Sequence, residues 1–342
     1  MSPILECVPN FSEGRDEEVI QSIAAAIRGV SNVALLHIDR SPGANRTVMS
    51  FAGQPQAVTK AAFGAIEAAA KHIDMRKQAG VHPRIGATDV CPLVPLGGMP
   101  VAHAVQWSKV LGERVGKELG IPVYLYEQSA TSGHRVALPD IRKGQYEGFG
   151  EKMRRPEWAP DYGPVEFNER TGATVIGARQ LLVAFNISLR GADASVAAQI
   201  AARLRERGYM EQYEGGKRRV SGMLPRVRAI GWHQPDYGQA QVSMNLLDYG
   251  ATSPLQAYEA CCILAGEYGV EVAGSEVIGL IPEACLLEAG AFAFLKKGQN
   301  TGDMPAKLLV NAGIAYMGLD KVRPFDAQEQ VLEWALDRAT DL

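Results

Sequence analysis

The densest run of reactive side chains is Gly80-Val81-His82-Pro83-Arg84-Ile85-Gly86-Ala87-Thr88-Asp89-Val90-Cys91-Pro92-Leu93-Val94-Pro95-Leu96. An imidazole, a guanidinium and a carboxylate stand close together, and the apolar stretch Val90 to Leu96 predicts a buried strand. His82 therefore sits on a loop entering that strand. Pro83 fixes its own φ and pushes His82 toward extended backbone, which presents the ring instead of burying it on a helix face. Imidazole titrates at about pH 6.5, which suits proton transfer near neutrality. His82 is thus the best candidate general acid/base, with a loop histidine bonded to a carbonyl as the competing reading. Asp39 ends a predicted strand beside His37. It could orient His82 as the third member of a triad does, or cap the turn at Ser41-Pro42-Gly43. Arg46, Arg84, Arg179 and Arg190 are candidates for anion recognition by fixed forks of donors, against surface ion pairs as the alternative for each. Cys91 is near His82, but its apolar setting favours packing over nucleophilic chemistry.

The elements that must position these groups read as a duplication. Residues 4–11 form a first strand, Asp16 caps a helix to about Arg28, and Asn32–Asp39 and Arg46–Ala52 are two further strands. Gln54-Pro55 opens an alanine-rich helix to about Ile73, and residues 89–96 are the fourth strand. The second half repeats the order. Thr174–Leu189 holds one long strand, Asp193–Arg207 a helix, and Val227–His233 with Ala240–Asp248 two strands. Ser253-Pro254 then opens a helix, and Glu271–Ile281 closes the unit. Asn lies beside Phe at the end of strand one in both halves, in Asn10-Phe11 and Phe185-Asn186. Each βαββαβ half predicts a ferredoxin-like antiparallel sheet with helices on one face. The fold class is α+β, with two such subdomains, residues 1–180 and 181–342, whose sheets face a ligand groove or tunnel. The first half adds a helix over Val101–Leu119 and a strand over Ile121–Tyr126. Residues 127–172 read as largely irregular, yet contain Tyr146, Trp158, Tyr162 and Phe167, more aromatic than a linker; the segment is expected to pack and shape a site.

Composition excludes several classes. The chain has 342 residues, 46% hydrophobic and 21% charged, with net charge −3 and so no basic surplus for nucleic acid. No apolar run approaches membrane-helix length, and no signal peptide is read at Met1-Ser2-Pro3. Five cysteines without C-x-x-C spacing suggest free thiols in a reducing compartment, the cytoplasm, and no zinc site. G-x-S-x-G, G-x-x-x-x-G-K-[ST] and H-E-x-x-H do not occur. Glu214-Gly215-Gly216-Lys217-Arg218-Arg219 lacks a preceding strand. It reads as a basic solvent loop, or alternatively as one that attracts a polyanionic tail.

Several motifs, in order along the chain, resemble the glutamate formimidoyltransferases. They include Glu6-Cys7-Val8-Pro9-Asn10-Phe11-Ser12-Glu13-Gly14, Asn45-Arg46-Thr47-Val48, the 80–96 stretch, Trp158-Ala159-Pro160-Asp161-Tyr162-Gly163-Pro164, Ala184-Phe185-Asn186-Ile187 and Arg323-Pro324-Phe325-Asp326. The resemblance implies transfer of the formimidoyl group from N-formimidoyl-L-glutamate to N5 of tetrahydrofolate, a co-substrate, in histidine breakdown. It implies a homodimer and folate in a positive tunnel, with no metal and no nucleotide required. The family's catalytic histidine falls on His82, with Asp39 to hold it. Its folate-binding segment falls on Gly163-Pro164-Val165-Glu166-Phe167-Asn168-Glu169-Arg170-Thr171-Gly172. Asn10, Arg46, Arg84 and Asn186 complete the candidate binding set. The animal form is fused to a cyclodeaminase, whereas this chain stops soon after Phe325-Asp326, so product channelling is expected either to involve a separate protein or not to occur. Tyr124-Leu125-Tyr126-Glu127-Gln128 departs from the Tyr-Gly-Glu associated with the animal form. A formyltransferase, another enzyme handling 5-formyltetrahydrofolate and a non-catalytic folate-binding protein are the alternatives.

Overall fold

The computed structural model describes residues 4–339, and these form two compact units, one of residues 4–180 with 338–339 and one spanning Leu181–Asp337. The fold is α+β with antiparallel sheets, as the strand and helix order predicts.

In the first unit, β1 (Ile4–Cys7) and β2 (Asn10–Phe11) are one strand interrupted at Val8-Pro9, because Pro9 has no N–H for the ladder. Both pieces pair antiparallel with the same two neighbours, β4 (Arg46–Gly53) and β5 (Thr88–Leu96). Outside β4 lies β3 (Val33–Ser41). These strands, with α1 (Glu17–Arg28) and α2 (Pro55–His72), make the ferredoxin-like unit. Asp16 caps α1 by accepting from Glu18 and Val19 N–H. The sheet is then extended by α3 (Val101–Leu119), β6 (Val123–Leu125) and β7 (Thr174–Ala178), with β5, β7 and β6 mutually parallel.

Alternation along the strands sorts the two faces. Cys7, Phe11, Met49, Phe51, Cys91, Leu93 and Ile176 join Ile20, Ile23, Ile66, Leu111 and Val115 in the core beneath the helices. Glu6, Asn10, Arg46 and Val48 take the opposite phase. On that second face Val90, Tyr124 and Val175 pack against Ile141, Phe149 and Met153. The latter three come from α4 (Leu138–Arg142) and α5 (Gln145–Met153). Residues 127–172 are therefore less irregular than expected. Leu138-Pro139 starts a short helix, and Ile141, Phe149 and Met153 supply the apolar stripe that holds it and α5 to the sheet.

The stretch 174–189 is two strands, not one. β7 ends at Ala178, and β8 (Val183–Arg190) begins the second unit after Arg179-Gln180-Leu181-Leu182. Both pieces are apolar and β-prone, so periodicity alone could not separate them. The second unit's sheet runs β11 (Val227–Gln234), β12 (Gln239–Leu246), β8, β13 (Glu271–Ile278), all antiparallel, the ferredoxin-like order. Phe185, Ile187, Val242 and Met244 pack with residues of α6 (Ala194–Leu204) and α7 (Pro254–Glu267). The presumed basic loop at 214–219 is instead half of a hairpin, β9 (Tyr209–Tyr213) with β10 (Gly216–Val220), turned at Glu214-Gly215. A strand does precede the glycines. Its alternation was obscured because β9 is largely exposed on both faces. Four helices that the repeat did not foresee follow β13: α8 (Glu283–Leu295), α9 (Ala306–Met317), α10 (Ala327–Gln330) and α11 (Leu332–Arg338). No described helix is long and apolar enough to cross a membrane.

Candidate active site

The loop carrying His82 is clamped from both sides. Gly86 bridges Gly172, and a Cβ on Gly86 would stand 2.2 Å from Ala173 O, so only glycine permits this approach. Ala173 N–H donates to Ile85 O at 3.0 Å and Ala87 N–H to Thr171 O at 2.8 Å. Ser12 Oγ donates to Gly86 O at 2.7 Å. Arg84 donates to both carboxylate oxygens of Glu147, at 2.8 and 3.2 Å, and to Gln78 O at 3.0 Å. Asp89 is fully buried, and its Oδ1 accepts from Ile85 N–H at 3.1 Å. Arg84 and Asp89, which sequence reasoning left open, are thus both tied into the loop's own scaffold.

The half-buried His82 ring is held at Nδ1. Arg46 Nη1 lies 2.7 Å away and Pro83 O 2.8 Å away. The same Nη1 is 3.2 Å from Asp89 Oδ2, while Arg46 Nη2 donates to Asn10 Oδ1. Arg142, from α4, forks onto Asp89: Nε reaches Oδ1 at 3.3 Å and Nη2 donates to Oδ2. Arg46 (β4) therefore meets the His82 ring, and Asn10 (β2) and Asp89 (β5) hold Arg46 while Arg142 (α4) holds Asp89. Two guanidiniums face one carboxylate, a net positive cluster. Burial first, then the charges of Arg46 and Arg142, push the His82 imidazole well below its ordinary range, so the ring is neutral at pH 7. Burial, and the neighbouring Arg142, bring the Arg46 guanidinium down to about 9.

The other sequence-predicted residues fall as follows. Asp39 is buried on β3, its carboxylate 3.9 Å from His37 Nε2. It shares a sheet row with Val48 and Asn10, two strands or about 10 Å from the latter. Residues 163–172 form a packed turn. Asn168 Oδ1 accepts from Arg170 and Thr171 N–H, both at 3.1 Å, and Phe167 stacks near Tyr146 and Phe149. Tyr146 OH donates to Glu169 O, and Arg170 to Lys71 O at 2.7 Å. Glu166 and Val165 lie at the surface end of this turn, Val165 being exposed. Arg179 donates to Gln180 O, and Arg190 is an exposed partner of Glu271. Asn186 belongs to the second unit, where it donates to Glu276 at 3.1 Å. Arg142 was missed altogether: from sequence it is one basic residue in a stretch without strand or helix periodicity. Among the described residues no cluster of three or more His, Cys, Asp or Glu side chains is placed to hold a metal ion.

These features place the molecule among two-unit α+β proteins with a positively charged cluster beside a half-buried histidine. The N-terminal subdomain of the formiminotransferase domain matches residues 4–179, and the formiminotransferase domain matches residues 184–337. The chain belongs to the formiminotransferase family. It is 40% identical to a protein of Streptococcus pyogenes named glutamate formimidoyltransferase, over 85% of this chain and 93% of that one. A protein of the same name from Thermoplasma acidophilum is 38% identical over 88% and 95%. The formimidoyltransferase-cyclodeaminase of Sus scrofa is 41% identical over 99% of this chain, which spans 61% of the pig protein.

Proposed function

We propose that this protein transfers the formimidoyl group of N-formimidoyl-L-glutamate to N5 of tetrahydrofolate, releasing L-glutamate. N5 attacks the formimidoyl carbon and forms a C–N bond, giving a tetrahedral intermediate. His82 accepts the N5 proton at Nε2. Collapse of the intermediate breaks the bond to the glutamate nitrogen, and His82 returns the proton to that departing amine. Asp39 is proposed as an acid that helps orient the ring, residues 163–172 as the folate-binding turn, and Asn10 and Asn186 as further polar contacts. Arg46 and Arg84 were expected to clamp carboxylates. Their contacts with Asp89 and Glu147 support a role in holding His82 and its loop instead. A homodimer in the cytoplasm completes the proposal.

The observation that carries this reading is His82 gripped at Nδ1 by Arg46 and Pro83 O beside two guanidiniums, a setting that favours the neutral imidazole, the form that can accept a proton. The names of the bacterial and archaeal relatives support the choice of group and donor. The test is turnover with tetrahydrofolate and either N-formimidoyl- or N-formyl-L-glutamate. Faster transfer from the formimidoyl donor is expected. Preference for the formyl donor would make it a formyltransferase, and folate binding without turnover a binding protein.

A further inference from the structure

The Nδ1 atom of His82 has two neighbours that it cannot satisfy together. Arg46 Nη1 at 2.7 Å only donates, and Pro83 O at 2.8 Å only accepts. With Nδ1 bare, the ring accepts from Arg46 and its proton sits on Nε2. With Nδ1 protonated, it donates to Pro83 O and Nε2 carries the lone pair, the form a general base needs. The second form requires that Arg46 turn its N–H toward another acceptor. Asp89 Oδ2, 3.2 Å from the same Nη1, is that acceptor. Asp89 and His82 are thus both within reach of one nitrogen, whose two N–H groups turn together with the guanidinium plane, and the position of Oδ2 decides whether one of them is aimed at Nδ1. That position is set by Ile85 N–H on Oδ1 and by the Arg142 fork across both oxygens. We propose that Arg142 is a positioning residue for His82, acting through Asp89 and Arg46.

Arg142 touches neither the ring nor Arg46 directly. It fixes the carboxylate that draws Arg46 off Nδ1, and its own charge opposes protonation of the ring. Within the first unit, the charged groups around His82 include Arg46 from β4, Asp89 from β5 and Arg142 from α4, with neutral Asn10 from β2 behind Arg46. Removal of Arg142 should therefore disturb both the tautomer and the titration of His82. A substrate clamp would instead govern KM. The kinetic part of this inference rests on the transferase reading; the ring's own titration does not.

The experiment compares Arg142→Met, which removes fork and charge, with Arg142→Lys, which keeps the charge without the planar fork. For Arg142→Met, kcat should fall about tenfold with KM for the donor changed by no more than about threefold. The acid limb of kcat/KM should move to higher pH. Arg142→Lys should return that limb toward wild type while kcat stays low. Ring nitrogen NMR of histidine-labelled protein, with His82 assigned by its loss in His82→Gln, reads tautomer and titration without substrate. It should show the Nδ1–H form falling and the titration midpoint rising in Arg142→Met. Wild-type kcat and ring signals in Arg142→Met would overturn the proposal, as would a rise confined to KM. If Arg142→Met fails to fold, Arg142→Lys decides: unchanged kcat and tautomer overturn it. If wild type transfers no formimidoyl group, the functional reading falls while the NMR comparison still tests the positioning role.

Discussion

The two ferredoxin-like units set an asparagine at the same lattice point and use it differently. Asn10 lies on the first strand opposite Val48 and Val90; Asn186 lies on the first strand opposite Ser243 and Glu276. The fourth-strand neighbour is apolar in one unit and an acid in the other. Asn10 consequently turns its oxygen to a guanidinium that also reaches His82. Asn186 turns its amide N–H toward Glu276, whose carboxylate also accepts from Gln241 at 3.0 Å and Tyr237 at 2.7 Å and pairs with Arg323 at 3.2 Å. One unit thus ends in a positive cluster around a titratable ring, and the other in a carboxylate surrounded by donors. The strand lattice is common to both units, while single side chains at fixed points set the difference in charge.

The contrast can be broken by substitution. His82→Ala is expected to lower turnover on the order of a hundredfold or more while folate binding persists, by steady-state kinetics beside equilibrium binding. Full turnover in that variant would remove the first unit's distinction. Glu276→Gln should act on stability instead, costing about 3 kcal/mol in urea unfolding, because it discharges the centre of a buried donor cluster. An unchanged midpoint would mean the second cluster is not cohesive.

Glu6 sharpens the comparison through pH. Its carboxyl is buried on the same face as Asn10, Oε2 lacks a hydrogen-bond partner, and burial, offset in part by Arg179, raises it to about 7 from 4.5. The folded state then holds a proton that the unfolded chain releases, so stability is lost as pH rises from 4.5 through 7. Glu6→Gln should remove up to about 3 kcal/mol of that loss, making the variant more stable than wild type at pH 8 and near equal at pH 5. His82 has the opposite sign. Its lowered midpoint means the unfolded chain binds the extra proton, so its contribution is lost as pH falls below the ordinary imidazole range. Parallel pH-stability curves for wild type and Glu6→Gln would refute the first assignment. The smallest effect expected is for Asn186→Ala, about 1 kcal/mol, since Glu276 keeps its other donors. A large loss of kcat there would support the substrate contact proposed for Asn186, and an unchanged kcat would leave it a scaffold residue.

Local chemistry made much of this legible in advance. Helical spacing in α1 and α2, proline at helix starts, the β-branched strands and Pro83 beside His82 follow from short-range sterics and periodicity, so both βαββαβ units and the His82 loop could be read from the chain. Pairing partners could not. Val175 and Phe185 belong to different sheets although one apolar run contains both, because strand registration is chosen by contacts distant in sequence. Arg142 lies 53 residues beyond Asp89 and meets it only because α4 folds back over β5. The sequence by itself determined which residues could transfer a proton and roughly where the chain turns to present them. Tertiary structure alone decided that Asp89, through Arg46, stands against the His82 ring, and that Arg142 holds it there. A carboxylate's partner is selected by position and exclusion of water in three dimensions, neither of which spacing along the chain records.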